Sequence, residues 1–288
     1  MKGILLAGGT GSRLYPMTKT VSKQLLPIYD KPMVFYPLST LIQLGISEVL
    51  IITTPRDLTA FQNLLGDGSY LGCSFQYATQ SAPNGLAEAF LIGASFIGKD
   101  PVALILGDNL FYGSGIDALA SHTKNFSGGL ILGAPVQHPE RYGIVALDND
   151  GSIVSIEEKP QNPQSNLAIP GLYFFDASVV EKAKNVRPSA RGELEITDIH
   201  KAYWETGQLE VKVLESGTAW LDTGTVSSLS NAHAFVEALQ SRQGVLVGSP
   251  ELAAYKSGLI AASDLQKLAQ QYKSSEYGHT LKRWIDAR

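Results

Sequence analysis

Short apolar runs punctuate the first third of the chain at Gly3–Ala7, Glu48–Thr53, Ser74–Thr79 and Val102–Leu106. Runs such as VALIL are apolar throughout instead of alternating, which predicts strands covered on both faces, as in a parallel sheet. Helix-like patterns fill the gaps over Phe35–Leu44, Leu58–Leu65 and Leu86–Phe96. The resulting order βαβαβαβ predicts an α/β fold built on an open, mostly parallel, Rossmann-like sheet with right-handed crossovers.

The middle of the chain reads differently. Gly129–Pro135, Ile144–Leu147, Ile153–Glu157 and Gly171–Phe175 are strand candidates with few helices between them. Asp148-Asn149-Asp150-Gly151 is a hairpin signal, so antiparallel additions to the sheet are expected. Helices are expected again over Ala177–Lys184 and Ile196–Thr206, then a strand over Glu210–Leu214. From Thr225 to Arg288 the pattern is mainly helical. The expected division is one domain over 1–240, in two parts of about 1–110 and 111–225. A helical C-terminal extension over 241–288 would pack on the same domain.

Composition narrows the function classes. The chain has 288 residues, of which 44% are hydrophobic and 17% charged, enough to bury a sizeable core. Its formal net charge is -4 and no long basic run occurs, so nucleic acid is not an expected partner. The single cysteine, Cys73, excludes an intrachain disulfide and reads as a small packing residue. No apolar stretch is long enough to span a bilayer and no signal peptide is visible, so the expectation is a cytoplasmic protein without a membrane partner.

The first strand runs into Gly8-Gly9-Thr10-Gly11-Ser12-Arg13-Leu14. Such glycines either make a tight strand-to-helix turn or point successive N–H groups at a phosphate. Two phosphate motifs are excluded. A Walker A loop needs Gly-Lys-Ser/Thr where Gly11-Ser12-Arg13 stands. The dinucleotide fingerprint needs a third glycine at Leu14 and an acid near Thr53-Thr54. Lys23, in VSKQLLP, lies in a segment that Pro16, Pro27 and Pro32 keep from forming a long helix. It is either a solvated lysine or a second cation converging with Arg13 on one polyphosphate.

In order along the chain stand GGTGSRL and KQLLP, then DKPM, YPLSTL and LGDN, then PERYG and EEKP, and last RGELEITD and WLDTGT. This succession resembles the sugar nucleotidyltransferase family, in its short thymidylyltransferase branch, over nearly the whole chain, from Met1 to about Arg283. The resemblance implies transfer of a thymidylyl group from dTTP to glucose 1-phosphate with magnesium as cofactor. The setting it implies is deoxysugar and cell-surface polysaccharide synthesis. A uridylyltransferase and a non-catalytic nucleotide-sugar sensor on the same fold are the alternative readings.

Residue roles follow from the same resemblance. Asp108 closes the strand VALILGD and, alone, could as well cap a helix; Asp222 could be a turn aspartate. The resemblance makes both magnesium ligands. It places Gly8, Gly9, Gly11, Ser12, Arg13, Gln24, Gln80 and Gly85 at the nucleotide, with the base between Gln80 and the Gly85 backbone. It places Gly143, Glu158, Lys159 and Ile169 at the sugar phosphate, and gives Arg13, Lys23, Asp108 and Lys159 the catalytic roles. Without it, Gln80 reads as a polar loop residue and Glu158-Lys159 as a solvated charge cluster.

The chain departs from the family pattern at three places. Asn84 and Glu88 stand where an acid and an amide are usual. Ile169-Pro170-Gly171 replaces a Val-Thr-Gly, removing a hydroxyl and an N–H beside the sugar. Leu252 and Lys256 alter a segment that relatives associate with an interface effector site for a downstream nucleotide sugar. Relatives are tetramers, so a homo-oligomer is the expected assembly. His122, His138, His200, His233 and His279 show no metal spacing, and no catalytic role is read for them.

Overall fold

The computed structural model describes residues 1–123 and 126–287, the side chains of 121–123 excepted. Arg288, where the helical expectation ends, lies outside the described residues, as does the side chain of His122. From the N-terminus, β1 (Lys2–Ala7) leads through two 3₁₀ turns to a small ribbon, β2 (Pro27–Ile28) and β3 (Lys31–Pro32). Then come α1 (Phe35–Gln43), β4 (Glu48–Thr53), α2 (Leu58–Leu65), β5 (Ser74–Thr79), α3 (Glu88–Ile92), α4 (Ala94–Ile97) and β6 (Val102–Leu106). The central part holds β7 (Asn109–Tyr112), α5 (Ser114–Asp117), β8 (Gly129–Pro135), β9 (Gly143–Leu147), β10 (Ile153–Glu158), β11 (Leu167–Ala168) and β12 (Leu172–Phe175). The last part holds α6 (Val179–Asn185), α7 (Ile196–Trp204), β13 (Leu209–Val213), β14 (Ala219–Asp222), α8 (Val226–Gln243), α9 (Pro250–Lys256), α10 (Ala262–Gln271) and α11 (Glu276–Asp286).

Among the described residues the main sheet runs β10-β9-β11-β8-β12-β6-β1-β4-β5. The four strands β6, β1, β4 and β5 are parallel. β12 continues the sheet antiparallel to β6, and β9 and β10 form the hairpin expected at Asp148–Gly151. The strand expected over Glu210–Leu214 is β13, which lies parallel to β8. The apolar runs are buried on both faces, as their lack of alternation implied. Leu5, Ile51, Ile105 and Phe174 face one core, against α1 and α2. Ile4, Leu6, Ile52, Leu104 and Phe175 face the other, against α3, α4, α6 and α7. Each such side chain taken from water contributes roughly 1.5–3 kcal/mol.

The helix expected over Leu86–Phe96 is in fact two short pieces meeting at Gly93. A Cβ at Gly93 would lie 3.0 Å from Ile4 Cδ1 and 3.0 Å from the Ala89 carbonyl, so glycine permits close packing on β1 and interrupts the helix. The C-terminal region packs α9 on α1. A polar joint ties it to the β2–β3 ribbon: buried Lys31 pairs with Asp30, and Gln240 of α8 accepts from Lys31 and donates to Asp30 at 2.9 Å.

The connections matter for the site. β1 passes through α1 to β4 and β5 on one side, and the chain then returns to β6 on the other side of β1. A crevice opens outside the carboxyl ends of the strands where the order reverses, here between β1 and β6.

Candidate active site

A cleft of about 440 Å³ opens at that reversal. Every residue given a site role from the sequence lines it: Gly8, Gly9, Gly11, Ser12, Arg13, Lys23, Gln24, Gln80 and Gly85 on one side, Gly143, Glu158, Lys159 and Ile169 on the other, Asp108 and Asp222 between.

The glycine turn follows β1. Gly9 and Gly11 have φ of 93° and 62°, which L side chains rarely adopt. Gly9, Thr10, Gly11 and Ser12 donate no main-chain hydrogen bond to another described residue, so the turn presents N–H groups suited to an anion. Arg13 is exposed beside it and makes no ion pair among the described residues. Gln24 is buried and holds the turn from below. Its amide accepts from Ser22 Oγ at 2.6 Å and donates to the Gly8 carbonyl at 3.3 Å.

The two aspartates come together through a ribbon the sequence did not reveal. β6 covers Val102–Leu106 as expected, and after Gly107 and Asp108 the chain starts β7. β7 pairs antiparallel with β14, with Asn109 directly opposite Asp222. Asp108 therefore caps no helix, and Asp222 ends a strand. Asn109, buried, accepts from the Gly171 N–H at 3.0 Å and from Trp220 Nε1 at 2.6 Å, and donates to Asp108 Oδ1 at 3.0 Å. The other Asp108 oxygen pairs with Lys23. Partial burial pushes the Asp108 carboxyl up, but the Lys23 charge and the hydrogen bonds outweigh it and hold the group below its ordinary value. Asp222 goes the other way. Burial and the Asp108 charge raise it, against Lys23, Arg13 and Arg141.

On the far side, Glu158 is fixed at both oxygens. Thr197 Oγ1 donates to Oε2 at 2.6 Å, and Arg191 donates to Oε1 at 3.3 Å while bound to both oxygens of Glu195 at 2.8 Å. Lys159 Nζ is 3.4 Å from Glu158, and its backbone is held at φ 44° with its N–H on the Tyr142 carbonyl at 3.0 Å. Unusual backbone of this kind collects at functional sites. The Gly143 carbonyl accepts from the Ile169 N–H at 2.8 Å, placing Ile169 on the cleft wall.

The cleft thus sets a cationic group at each end, with an acidic pair between them. The nucleotidyl transferase family profile matches residues 2–238. The chain belongs to the nucleotidyl transferase family. Within it, a Mycolicibacterium smegmatis glucose-1-phosphate thymidylyltransferase is 53% identical over 286 residues, covering 99% of both chains. The Neisseria meningitidis protein of the same name is 49% identical over 286 residues, again covering 99% of each. A crystal structure from Bacillus anthracis, provisionally described as a glucose-1-phosphate thymidylyltransferase and holding a sucrose, superposes with a TM-score of 0.76 at 41% identity, covering 82% of this chain and 94% of that one.

Several residues of this nucleotidyl transferase line the cleft without having been given a role from the sequence. Arg141 lies over the Tyr142 ring, which packs edge-on to Trp220. Arg191, Glu195 and Thr197 sit in the quoted RGELEITD run, and Asn109 in LGDN, so the signal was present but not the contacts. His200 is buried in the cleft floor among Tyr173 and Phe175, and neither ring nitrogen has a hydrogen-bond partner among the described residues.

Proposed function

We propose that this protein transfers the thymidylyl group of dTTP to glucose 1-phosphate, giving dTDP-glucose and pyrophosphate. The observation that carries the reading is the single cleft that gathers Arg13 and Lys23 at one end, Glu158 with Lys159 at the other, and Asp108 and Asp222 between them. Near full-length identity of about 50% to proteins named for this reaction supports the choice of substrates.

A phosphate oxygen of glucose 1-phosphate attacks the α-phosphorus of dTTP. The bond from that phosphorus to the bridging oxygen breaks opposite, and pyrophosphate leaves with the electron pair. The nucleophile is already an anion, so no enzyme-linked intermediate is needed, and the protein's task is positioning and charge neutralisation. The turn from Gly8 to Ser12 receives the triphosphate, with Arg13 and Lys23 over its outer phosphates and Gln24 supporting the turn. Gln80 and the Gly85 backbone hold the base. Lys159 holds the sugar phosphate, while Glu158, Gly143 and Ile169 hold the hexose.

The acidic pair fits magnesium. Asp108 and Asp222 are hard oxygen donors held close enough that the charge of one raises the carboxyl of the other, and magnesium usually takes one or two carboxylates together with substrate phosphates. Asp108 and Asp222 would hold the ion, which would neutralise phosphate charge as it moves. We place the reaction in the cytoplasm, in the supply of activated hexose for deoxysugars and cell-surface polysaccharides, and in a homo-oligomer, by analogy with tetrameric relatives.

Product analysis decides the matter. A panel of dTTP, UTP and other triphosphates with several hexose 1-phosphates, with and without magnesium, should give dTDP-glucose best and only with the metal. Preference for UTP would make the chain a uridylyltransferase. Silence for every pair would leave a nucleotide-sugar sensor.

A further inference from the structure

The base end of the cleft carries a fixed polarity. Gln80, buried at the end of β5, directs its Nε2 between two groups that can only accept: the Gly85 carbonyl at 3.0 Å and Glu88 Oε2 at 2.7 Å. The other Glu88 oxygen accepts from Asn84 Nδ2 at 2.8 Å. Turning the Gln80 amide over would set its oxygen against both acceptors, so the network permits one orientation. That orientation leaves Gln80 Oε1 toward the cleft beside the glycine turn, where a Cβ on Gly8 would lie 3.0 Å from it. No described group donates to that oxygen.

We propose that Glu88 is a positioning residue for nucleotide choice: by holding Gln80 oxygen-inward, it makes the site take a pyrimidine with a ring N–H and turn away cytosine. The inference rests on the function proposed above, which puts the base beside Gln80. Thymine and uracil carry a hydrogen on N3, which Oε1 accepts. Cytosine offers a lone pair there, so two acceptors would face each other, and an unpaired buried acceptor is more costly than a missing hydrogen bond. Glu88 reaches the base only through Gln80. It opens α3, and the loop before it is pinned elsewhere by main-chain bonds, from Leu194 N to the Asn84 carbonyl at 2.6 Å and from Ala87 N to the Leu194 carbonyl at 3.1 Å. The loop should therefore keep its path when the Glu88 side chain is cut back, while Gln80 becomes free to turn.

The experiment compares dTTP with dCTP, which share the deoxyribose. Glu88→Leu and Glu88→Ala should raise KM for dTTP by roughly tenfold with kcat within about twofold, and narrow the dTTP:dCTP ratio of kcat/KM by at least about tenfold. Glu88→Gln keeps an acceptor for Gln80 and should restore the ratio. Calorimetric binding of the two triphosphates to the same proteins gives the ratio without turnover, so a chain that released no pyrophosphate would defeat the proposed function and still answer this question. An unchanged dTTP:dCTP ratio in folded Glu88→Leu or Glu88→Ala, judged by thermal melting, would overturn the proposal.

Discussion

The main-chain carbonyl of Asp108 accepts two hydrogen bonds from Thr223, one from its N–H at 3.1 Å and one from its hydroxyl at 2.8 Å. Thr223 is fully buried and directly follows Asp222. The two aspartates are far apart in sequence, yet their spacing in the cleft depends on this contact as well as on the pairing of β7 with β14. Thr223→Val keeps the volume and the N–H bond but removes the hydroxyl. Stability should fall by about 1 kcal/mol, read by urea unfolding. The turnover number should fall by roughly tenfold because the acidic pair loses its spacing. Steady-state kinetics should show both KM values nearly unchanged.

Asp108→Asn tests the metal reading directly. The amide keeps the shape and one acceptor but loses the charge that answers both Lys23 and a divalent cation. The magnesium concentration for half-maximal rate should rise, and turnover at saturating metal should fall by roughly a hundredfold or more. A magnesium titration of the initial rate measures both. Near-normal magnesium-dependent turnover would remove Asp108 from the assignment.

Lys159 should divide the two substrates. It is half-exposed next to Glu158, on the side of the cleft opposite the glycine turn. Lys159→Ala removes a point charge from the sugar phosphate and leaves the triphosphate end intact. KM for glucose 1-phosphate should rise by at least roughly tenfold with KM for dTTP within about twofold. Equal changes in both constants would mean that Lys159 serves the whole cleft.

Much of this arrangement could be read from the chain before any coordinates. VALIL and its counterparts announce strands buried on both faces, and the glycine turn after the first of them announces the crevice. The motifs then place a cation or an acid at each end. What could not be read is how the ends meet. β7 and β14 are four residues each, NLFY and AWLD, too short for a period and with no turn joining them; only tertiary pairing makes them a ribbon. Asn109 lies in the LGDN motif, but its contacts are equally invisible in sequence. It stands beside Asp108 as an ordinary polar residue, and only the approach of Gly171 and Trp220 turns it into the group that orients the carboxylate. The break at Gly93 within the Leu86–Phe96 pattern is also hidden in sequence, because the close approach to Ile4 that glycine admits joins distant segments.

Acid stability should report on His200. Burial among aromatic rings lowers its pKa to about 3, with no hydrogen bond to support the charged form. In the unfolded chain the imidazole titrates near about 6.5. Above that pH both states are neutral and His200 contributes nothing to the pH dependence. As pH falls below it, the unfolded chain binds a proton that the folded chain refuses, so stability is lost by up to about 1.4 kcal/mol per pH unit until the folded group titrates. Replacing His200 with leucine, which cannot take a proton, should flatten this slope between pH 6.5 and the acid limit while leaving the other carboxylate-driven losses in place. Urea midpoints measured across that range for both proteins supply the comparison. Parallel curves would mean that water or a neighbouring group reaches the ring in solution, and that the floor of the cleft is less dry than its packing implies.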